Sequence, residues 1–418
     1  MQYATISVET FKKYWSLVQA AMKGFKPIRN YEGFVLMHGS VEHGLVLRLA
    51  NETGGLRINL GANEQPSTVI VMHDFEIAIQ TGEITKVLPH LGKGVMTIES
   101  VEGMSGVVAF VTPKITQHVP WSETVVDDFP GDTFFRMSTR LKFNAHDFDR
   151  KVRLAKSSAT TNPKLRGTLP STLHITVDGT KLTMQSATDA RGISYVVWEP
   201  DEFWSDGQPF SHLIPIEAVD TLARAAAGFE GVVEVAGDPG GNMLAWTFGQ
   251  LTLVVRSAGE KFFDLSIMFT GKEVGGTSVP YDDFKDVLAL ISAQTPANTA
   301  AKAIVTFEAA QTFITSPSTT GKTEATIGGL GSGNLPATFT MNARQIKDIL
   351  GDMRTKGVIH LSSQTVTHTD PKSGRTTERP ILMITSPTDP DFRHVAILIS
   401  TVKEAEVERV QETEDEEE

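Results

Sequence analysis

The stretch Lys356–Ser363 reads KGVIHLSS, a glycine followed by alternating apolar and polar residues. Such alternation marks a half-buried strand, and a glycine ahead of it suits the C-terminal turn of a preceding helix. The chain writes nearly the same phrase twice more, as KGVMTIES from Lys93 and EGVVEVAG from Glu230, each time after a stretch of helical character. The three glycines, Gly94, Gly231 and Gly357, lie 137 and 126 residues apart. A second marker stands upstream of each: Phe11 in ETFKKYWSLVQAAM, Phe148 in HDFDRKVRLAKSSA and Phe284 in DDFKDVLALISAQ. These phenylalanines are 137 and 136 residues apart. Two independent markers with nearly one period predict three tandem copies of a domain-sized unit, since the period is too long for a solenoid repeat.

The copies share an order of elements. An amphipathic helix comes first, with Phe11, Trp15, Val18 and Met22, then Phe148, Val152 and Ala155, at helical spacing. Alternating strands follow, such as GLVLRLAN and LHITVDGTKLTMQSATD. A second helix is predicted around GEITKVLPHL, PIEAVDTLARAAAG and NARQIKDILGDMRTKG, with Pro215 at an N-terminal helical position and Asn342 as a cap. Pro89 shortens or breaks the first of these. Further strands, including NMLAWTFGQLTLVVRSA and RPILMITSPTDPDFRHVAILIS, close each unit. The expected fold class is α+β: three tandem similar domains, each with two helices packed on antiparallel sheets. Turn-rich stretches near Asp127–Phe135 and Phe269–Ser278 place the domains at 1–130, 134–268 and 275–402, followed by a disordered acidic tail at 403–418.

Composition narrows the function. The chain has 418 residues, ample for several cores, and no cysteine, which excludes disulfides, thiol nucleophiles and cysteine-based zinc sites. No apolar run is long enough to span a membrane, and MQYATISVETFKKYW lacks the core of a secretory signal, so a cytoplasmic location is expected. The net charge is −12, but the tail Val402–Glu418 holds nine acids and two bases, leaving −5 for the body. The candidate helices together carry +5. Positive helices in an acidic body fit a polyanion held against one surface, and they also fit lysine-rich surfaces that serve solubility. Their recurrence at equivalent positions favours the polyanion. The candidate contacts are Lys12, Lys13, Lys23, Lys26, Arg150, Lys151, Arg153, Lys156, Arg224, Arg344, Lys347 and Arg354. No base-reading motif accompanies them, so contact would be to phosphates and independent of sequence.

Enzymatic readings find little support. TTGKTEAT contains Gly-Lys-Thr, but the first glycine of a phosphate-binding loop would fall on Ser316 and no helix follows. GGLGSGN precedes a strand and reads as a flexible loop. His38 and His43 lack metal-site spacing and sit beside a turn, no nucleophile elbow is present, and Asp127–Asp128 lies in a predicted linker. No catalytic residue, metal or cofactor is expected.

LRGTLPSTLHITVDGTKLTMQSATDARGISYV (Leu165–Val196), TFGQLTLVVRSAGEKFFD (Thr247–Asp264) and FTMNARQIKDIL in the third copy resemble segments of the bacterial β sliding clamp, the DNA polymerase III beta subunit family. The resemblance covers most of 134–401 and is weaker over 1–130. It implies a homodimeric, head-to-tail ring whose helices line a hole for duplex DNA. It also implies tethering of a DNA polymerase, and a clamp loader, through short linear motifs bound between the second and third domains. Carried onto this chain, that pocket would comprise Leu165, Thr188, Asp189, Ala190, Arg191, Ile193, Val395, Ile397 and Ile399, each of which is equally compatible with core packing. Leu290 and Ile291 match the family's ring interface, or else the core of their own domain. The family's Met-Pro-Met-Arg-Leu-like ending is here ILIST plus the tail, and Arg191 stands one place early. These departures mark a divergent member, and a viral origin is compatible with them. The resemblance thus implies a non-enzymatic, nucleoid-associated processivity factor; a clamp-like scaffold that does not close around DNA is the alternative.

Overall fold

The computed structural model describes the chain from Met1 to Leu398, apart from positions 23–28, 52–53, 62–68, 132–138, 166–167, 179–180, 189–190, 200–201, 205–208, 228, 238–241, 259–261, 263–264, 270, 298, 319–320, 370–375 and 397. Among the described residues there are seven α-helices: α1 Val8–Met22, α2 Thr81–Val87, α3 Glu123–Asp128, α4 Ala145–Lys156, α5 Ile216–Ala227, α6 Tyr281–Gln294 and α7 Ala343–Met353. The strands form antiparallel sheets, which together with the helices gives the expected α+β class.

The repeated phrase and the repeated phenylalanine turn out to be joined by one hydrogen bond. The first residues of α1, α4 and α6 are Val8, Ala145 and Tyr281, three positions ahead of Phe11, Phe148 and Phe284. Their backbone N–H groups donate to the carbonyls of Gly94, Gly231 and Gly357 at 2.8, 2.9 and 2.8 Å. Helix N-termini leave such donors without an intrahelical partner, and the glycine carbonyl supplies one. Each glycine has a positive φ, of 101°, 138° and 90°, a conformation costly to any residue with a Cβ. The strand after each glycine pairs with the strand that enters the helix: Val95–Ser100 with Gln2–Ser7, Val232–Gly237 with Thr139–Asn144, and Val358–Thr369 with Lys272–Pro280. The three phenylalanines are buried, and Phe11 stacks on Trp15 at 5.7 Å while Phe148 meets Phe248 edge-on at 6.1 Å. Trp15 and Val18 on α1 and Val152 and Ala155 on α4 are buried as well, as their spacing predicts, while the side chain of Met22 is outside the described residues.

Some local expectations need correction. Gly357 does not end α7; Arg354 does, with a left-handed φ of 45° and its N–H donated to Leu350 O at 3.3 Å. The glycine lies three residues further on because its task is to turn into the strand. Pro215 ends the strand Phe210–Pro215 directly before α5 instead of standing inside the helix. GGLGSGN is not a loop throughout, since Leu330–Gly333 is an edge strand paired with Lys272–Pro280. The strand Lys272–Pro280 also crosses the turn-rich stretch at Phe269–Ser278, and Asp127–Asp128 end helix α3. Pro89 acts as expected: α2 stops at Val87 and a 3-10 turn, Leu88–His90, follows. Asn342 caps α7 by accepting from Arg344 N at 3.2 Å.

The chain forms two compact units, one of residues 1–150, 175–182 and 199–259, the other of 151–174, 183–198 and 260 onward. The first contains a five-stranded sheet in the order Val69–Val71, Gln2–Ser7, Val95–Ser100, Val107–Val111, Thr116–Pro120. It also contains a nine-stranded sheet in which Gly54–Leu60 is bonded to Leu251–Arg256, with Leu253 opposite Leu56. In the second unit, Gly192–Trp198 is bonded to Asp389–Ala396 with Ile193 opposite Val395, and Thr376–Ser386, Val358–Thr369 and Lys272–Pro280 follow in order. Gly321–Gly328, Gln311–Ser318, Lys302–Phe307 and Ala337–Asn342 form a separate four-stranded sheet there. Glycine opens the joining strand in both pairings. A Cβ at Gly54 or Gly192 would lie 2.1 Å from the carbonyl oxygen of Val254 or Val395, respectively.

A buried polar chain fixes the second of these pairings. Ser194 and His394 are register partners, and Ser194 Oγ lies 3.1 Å from the His394 Nδ1. The same hydroxyl is 2.7 Å from Ser157 Oγ and 2.8 Å from Ser158 Oγ, and Ser157 donates to Leu154 O at 2.8 Å, the last turn of α4. His394 has no exposed surface, and burial pushes its pKa down to about 3.

Two outcomes are expected. Gly357→Ala meets no atom within 4 Å of the new Cβ, so its cost is backbone strain alone, about 1–2 kcal/mol by chemical denaturation. Because folded His394 excludes the proton that its unfolded form binds below about pH 6.5, the second unit loses stability as pH falls through the range from 6.5 toward 3, by up to about 1.4 kcal/mol per pH unit. His394→Gln keeps a hydrogen-bonding group for Ser194 and flattens that dependence, which denaturation at pH 7 and pH 5 reads directly.

Candidate functional site

An apolar cavity of about 590 Å³ opens in the second unit beside the Gly192–Trp198 and Asp389–Ala396 pairing. Its walls are Leu169, Pro170, Thr188, Ile193, Phe262, Leu265, Met268, Pro380, Ile381, Val395, Ala396 and Leu398 among others. Below it Phe269, Val366, Ile381, Met383 and Val395 form a buried cluster against which Ile193, Tyr195 and Met268 pack, and Tyr195 stacks on Phe269 at 4.3 Å. The apolar wall therefore continues into this cluster, and among the described lining residues one side chain, that of Thr188, carries a hydroxyl. Such a surface takes an apolar side chain or short apolar segment rather than a charged ligand.

Three of the residues expected here, Thr188, Ile193 and Val395, line this cavity. Leu165 does not; it ends a 3-10 turn, Pro163–Leu165, and is 39 % exposed. Nor does Arg191, whose guanidinium turns to the carbonyls of Ser157 and Ala159 at 3.3 and 3.5 Å. Asp189, Ala190, Ile397 and Ile399 lie outside the described residues. The walls that sequence reasoning missed come mainly from two runs, GTLPST and FFDLSIMF. The second carries a visible signal, apolar residues crowded together without strand alternation, which is what a lining segment needs.

The cationic candidates divide by what their side chains touch. Lys13 and Arg224, on α1 and α5 in the first unit, are exposed, as is Arg354 in the second. Lys12 is half-buried and reaches Gly92 O at 3.1 Å. Arg150, Arg153 and Lys156 are half-buried along α4, and Lys347 lies 3.5 Å from Asp348. Two candidates are structural instead. Lys151 is buried and ion-paired to Asp391 at 2.5 Å, so its charge is already neutralised. Arg344 spreads its guanidinium over the carbonyls of Ser292, Thr295, Pro296, Ala297 and Thr299, closing the C-terminal end of α6. That end is the negative pole of the helix, where an arginine is well placed. Lys23 and Lys26 lie outside the described residues.

Leu290 and Ile291 part company on α6. Ile291 is 1 % exposed and belongs to the core of its own unit, whereas Leu290 is 50 % exposed. The helix rotates neighbouring positions by about 100°, so only one of the pair can face outward. No cluster of three or more metal-ligating side chains occurs among the described residues, and none of their helices is long and apolar enough to cross a membrane.

No protein-family model matches the sequence, and no curated protein matches it. Solved structures do. The DNA polymerase sliding clamp of Bacillus subtilis superposes with a TM-score of 0.79 at 12 % identity, covering 96 % of this chain and 99 % of that one. The beta subunit from the DNA polymerase of Streptococcus pyogenes gives 0.77 at 12 % identity, over 96 % of this chain and 100 % of that one. The DNA polymerase sliding clamp of Pseudomonas aeruginosa gives 0.74 at 14 % identity, again over 96 % and 100 %. The three-fold repeat read from KGVIHLSS, and the strand pairings it organises, are thus the fold of the DNA polymerase III beta subunit sliding clamps.

Proposed function

We propose that this chain is a sliding clamp: a non-catalytic processivity factor that closes head to tail as a homodimer around duplex DNA and tethers a DNA polymerase. In this reading the clamp modules are 1–130, 134–268 and 275–402. One observation carries it. In the first unit Gly54–Leu60, the third strand after a first helix, pairs with Leu251–Arg256, the last strand of the following repeat. In the second unit Gly192–Trp198 pairs in the same way with Asp389–Ala396. The equivalent third strand of the last repeat, Gly321–Gly328, is bonded on one side to Gln311–Ser318 and to no other described strand. The equivalent final strand of the first repeat, Thr116–Pro120, is likewise an edge.

One strand of each kind is therefore left with an open edge, and copies joined head to tail satisfy both, two of them in a closed dimer. Unlike a face-to-face contact, this head-to-tail pairing uses two different patches and closes if the rotation returns on itself. Gly321 stands at the head of its strand as Gly54 and Gly192 do. Leu290 is exposed on α6, the helix that packs on Gly321–Gly328, and closure would cover it. An unprotected edge is otherwise a liability that proteins avoid. A topological link holds DNA without base contacts, and the exposed Lys13, Arg224 and Arg354 supply moderate, sequence-independent attraction to phosphates. The apolar cavity beside Ile193 and Val395 takes the short linear motif by which a polymerase or clamp loader would dock.

The test uses threading over DNA ends. The protein is incubated with linear plasmid, which a ligase then circularises. Light scattering is expected to give twice the chain mass of 45.5 kDa, with protein retained on the circle and released when a restriction enzyme reopens it. Gly321→Val, which places a side chain where the partner strand must approach, is expected to give a folded monomer with no retention. A monomeric wild type held equally by circle and line would instead favour an interaction scaffold. Replacing Lys13, Arg224 and Arg354 by Ala is expected to weaken duplex binding for all sequences alike. The salt slope of binding should fall by about one for each phosphate that the variant no longer neutralises.

A further inference from the structure

We infer that the cavity between α1 and α5 in the first unit is a binding site for an unpaired nucleotide of the DNA strand that passes it. This rests on the clamp reading for the presence of DNA, but the site is argued from its own chemistry. The cavity holds about 330 Å³ and shares no lining residue with the apolar one described above. Three rings line it: the half-buried Tyr14 from α1 and Phe229 after α5, and the buried Phe248 that ends the strand Met243–Phe248. Phe229 and Phe248 are already set edge-to-face, 6.1 Å apart at 88°. Lys13 and Arg224, both exposed, flank the opening, and Lys13 Nζ sits 5.7 Å over the Tyr14 ring. No carboxylate lines the cavity among the described residues.

Those features select a ligand with a flat apolar body and a negative charge. Aromatic faces stack on any base, and flanking cations hold the phosphate attached to it. The Gln250 amide supplies the polar element. Its Oε1 accepts from the Tyr14 hydroxyl at 3.0 Å, which fixes the amide and leaves its N–H₂ for an acceptor on a base edge. The bases of a duplex are stacked on one another and present only their edges, so a base that meets these rings face-on must be unpaired, as at a primer–template junction, a gap or a frayed end. A site of this kind would hold the ring at a junction while paired DNA slides past it, because duplex offers no base to insert.

The probe is a short primer–template with a single-stranded overhang, compared with blunt duplex of the same length by fluorescence anisotropy. Wild type is expected to favour the junction by about fivefold or more, the lower end of what one base–aromatic stack provides. Ser16 is exposed on α1 at the cavity wall, and Ser16→Tyr fills the space without adding or removing a charge. Ser16→Tyr and Phe229→Ala are each expected to abolish the junction preference while blunt-duplex affinity stays unchanged. Equal binding of junction and blunt duplex by wild type, or an undiminished preference in Ser16→Tyr, overturns the inference and leaves the cavity to an acidic, aromatic peptide. Retention on ligated circles reports the ring independently: its loss in wild type would sink the clamp reading alone, whereas its persistence in Ser16→Tyr with the junction preference gone supports both.

Discussion

A single backbone hydrogen bond, made three times, sets the plan of this protein. The first N–H of α1, α4 or α6 reaches forward to a glycine carbonyl more than 75 residues along the chain, at the head of a later strand. The bond ties the start of a helix to the start of the strand that lies beside the helix's own entry strand. Once it is made, the phenylalanine three residues into the helix is delivered to the core, and the register of two strands is fixed. The glycine is required because the carbonyl must turn toward the helix while the chain turns into the sheet, which places φ on the positive side. Everything downstream, including the strand pairings that join one repeat to the next, is built on this corner.

Much of that plan was legible in the residues. Periodicity placed six of the seven helices, because Phe11, Trp15 and Val18, or Phe148, Val152 and Ala155, recur at a spacing that only a helix can bury on one side. What the sequence hid is what depends on distant partners. Arg344 looks like any surface arginine until five carbonyls at the end of α6 converge on it. Lys151 reads as part of a basic stripe, and only the fold brings Asp391, 240 positions away, against it. GGLGSGN reads as a loop because glycine has no strand preference, yet these glycines serve an edge where backbones come close. At Gly331 a Cβ would sit 2.4 Å from Glu308 O. Of the apolar cavity, Thr188, Ile193 and Val395 are accessible by resemblance, whereas Phe262, Leu265 and Met268 join it only through the fold.

The cations also show why charge counts alone are a weak guide. A helix with a net positive tally can have committed its lysines to ion pairs and its arginines to helix ends. After those are set aside, the outward charge of the described helices is modest. Modest attraction is what a mobile tether needs, since each tight phosphate contact adds to the salt-dependent hold that resists sliding.

The pairing of Gly54–Leu60 with Leu251–Arg256 has a practical corollary. Repeats that share a sheet are not interchangeable cassettes: excising residues 1–130 would strip a six-residue strand of its neighbour and leave a bare row of amides ready to aggregate. Compactness consequently follows the junctions and not the repeats, which is why the first compact unit takes in part of the middle repeat. Three repeats built on one corner are in this way welded into a polypeptide in which neither strand of a junction can be removed without baring the other.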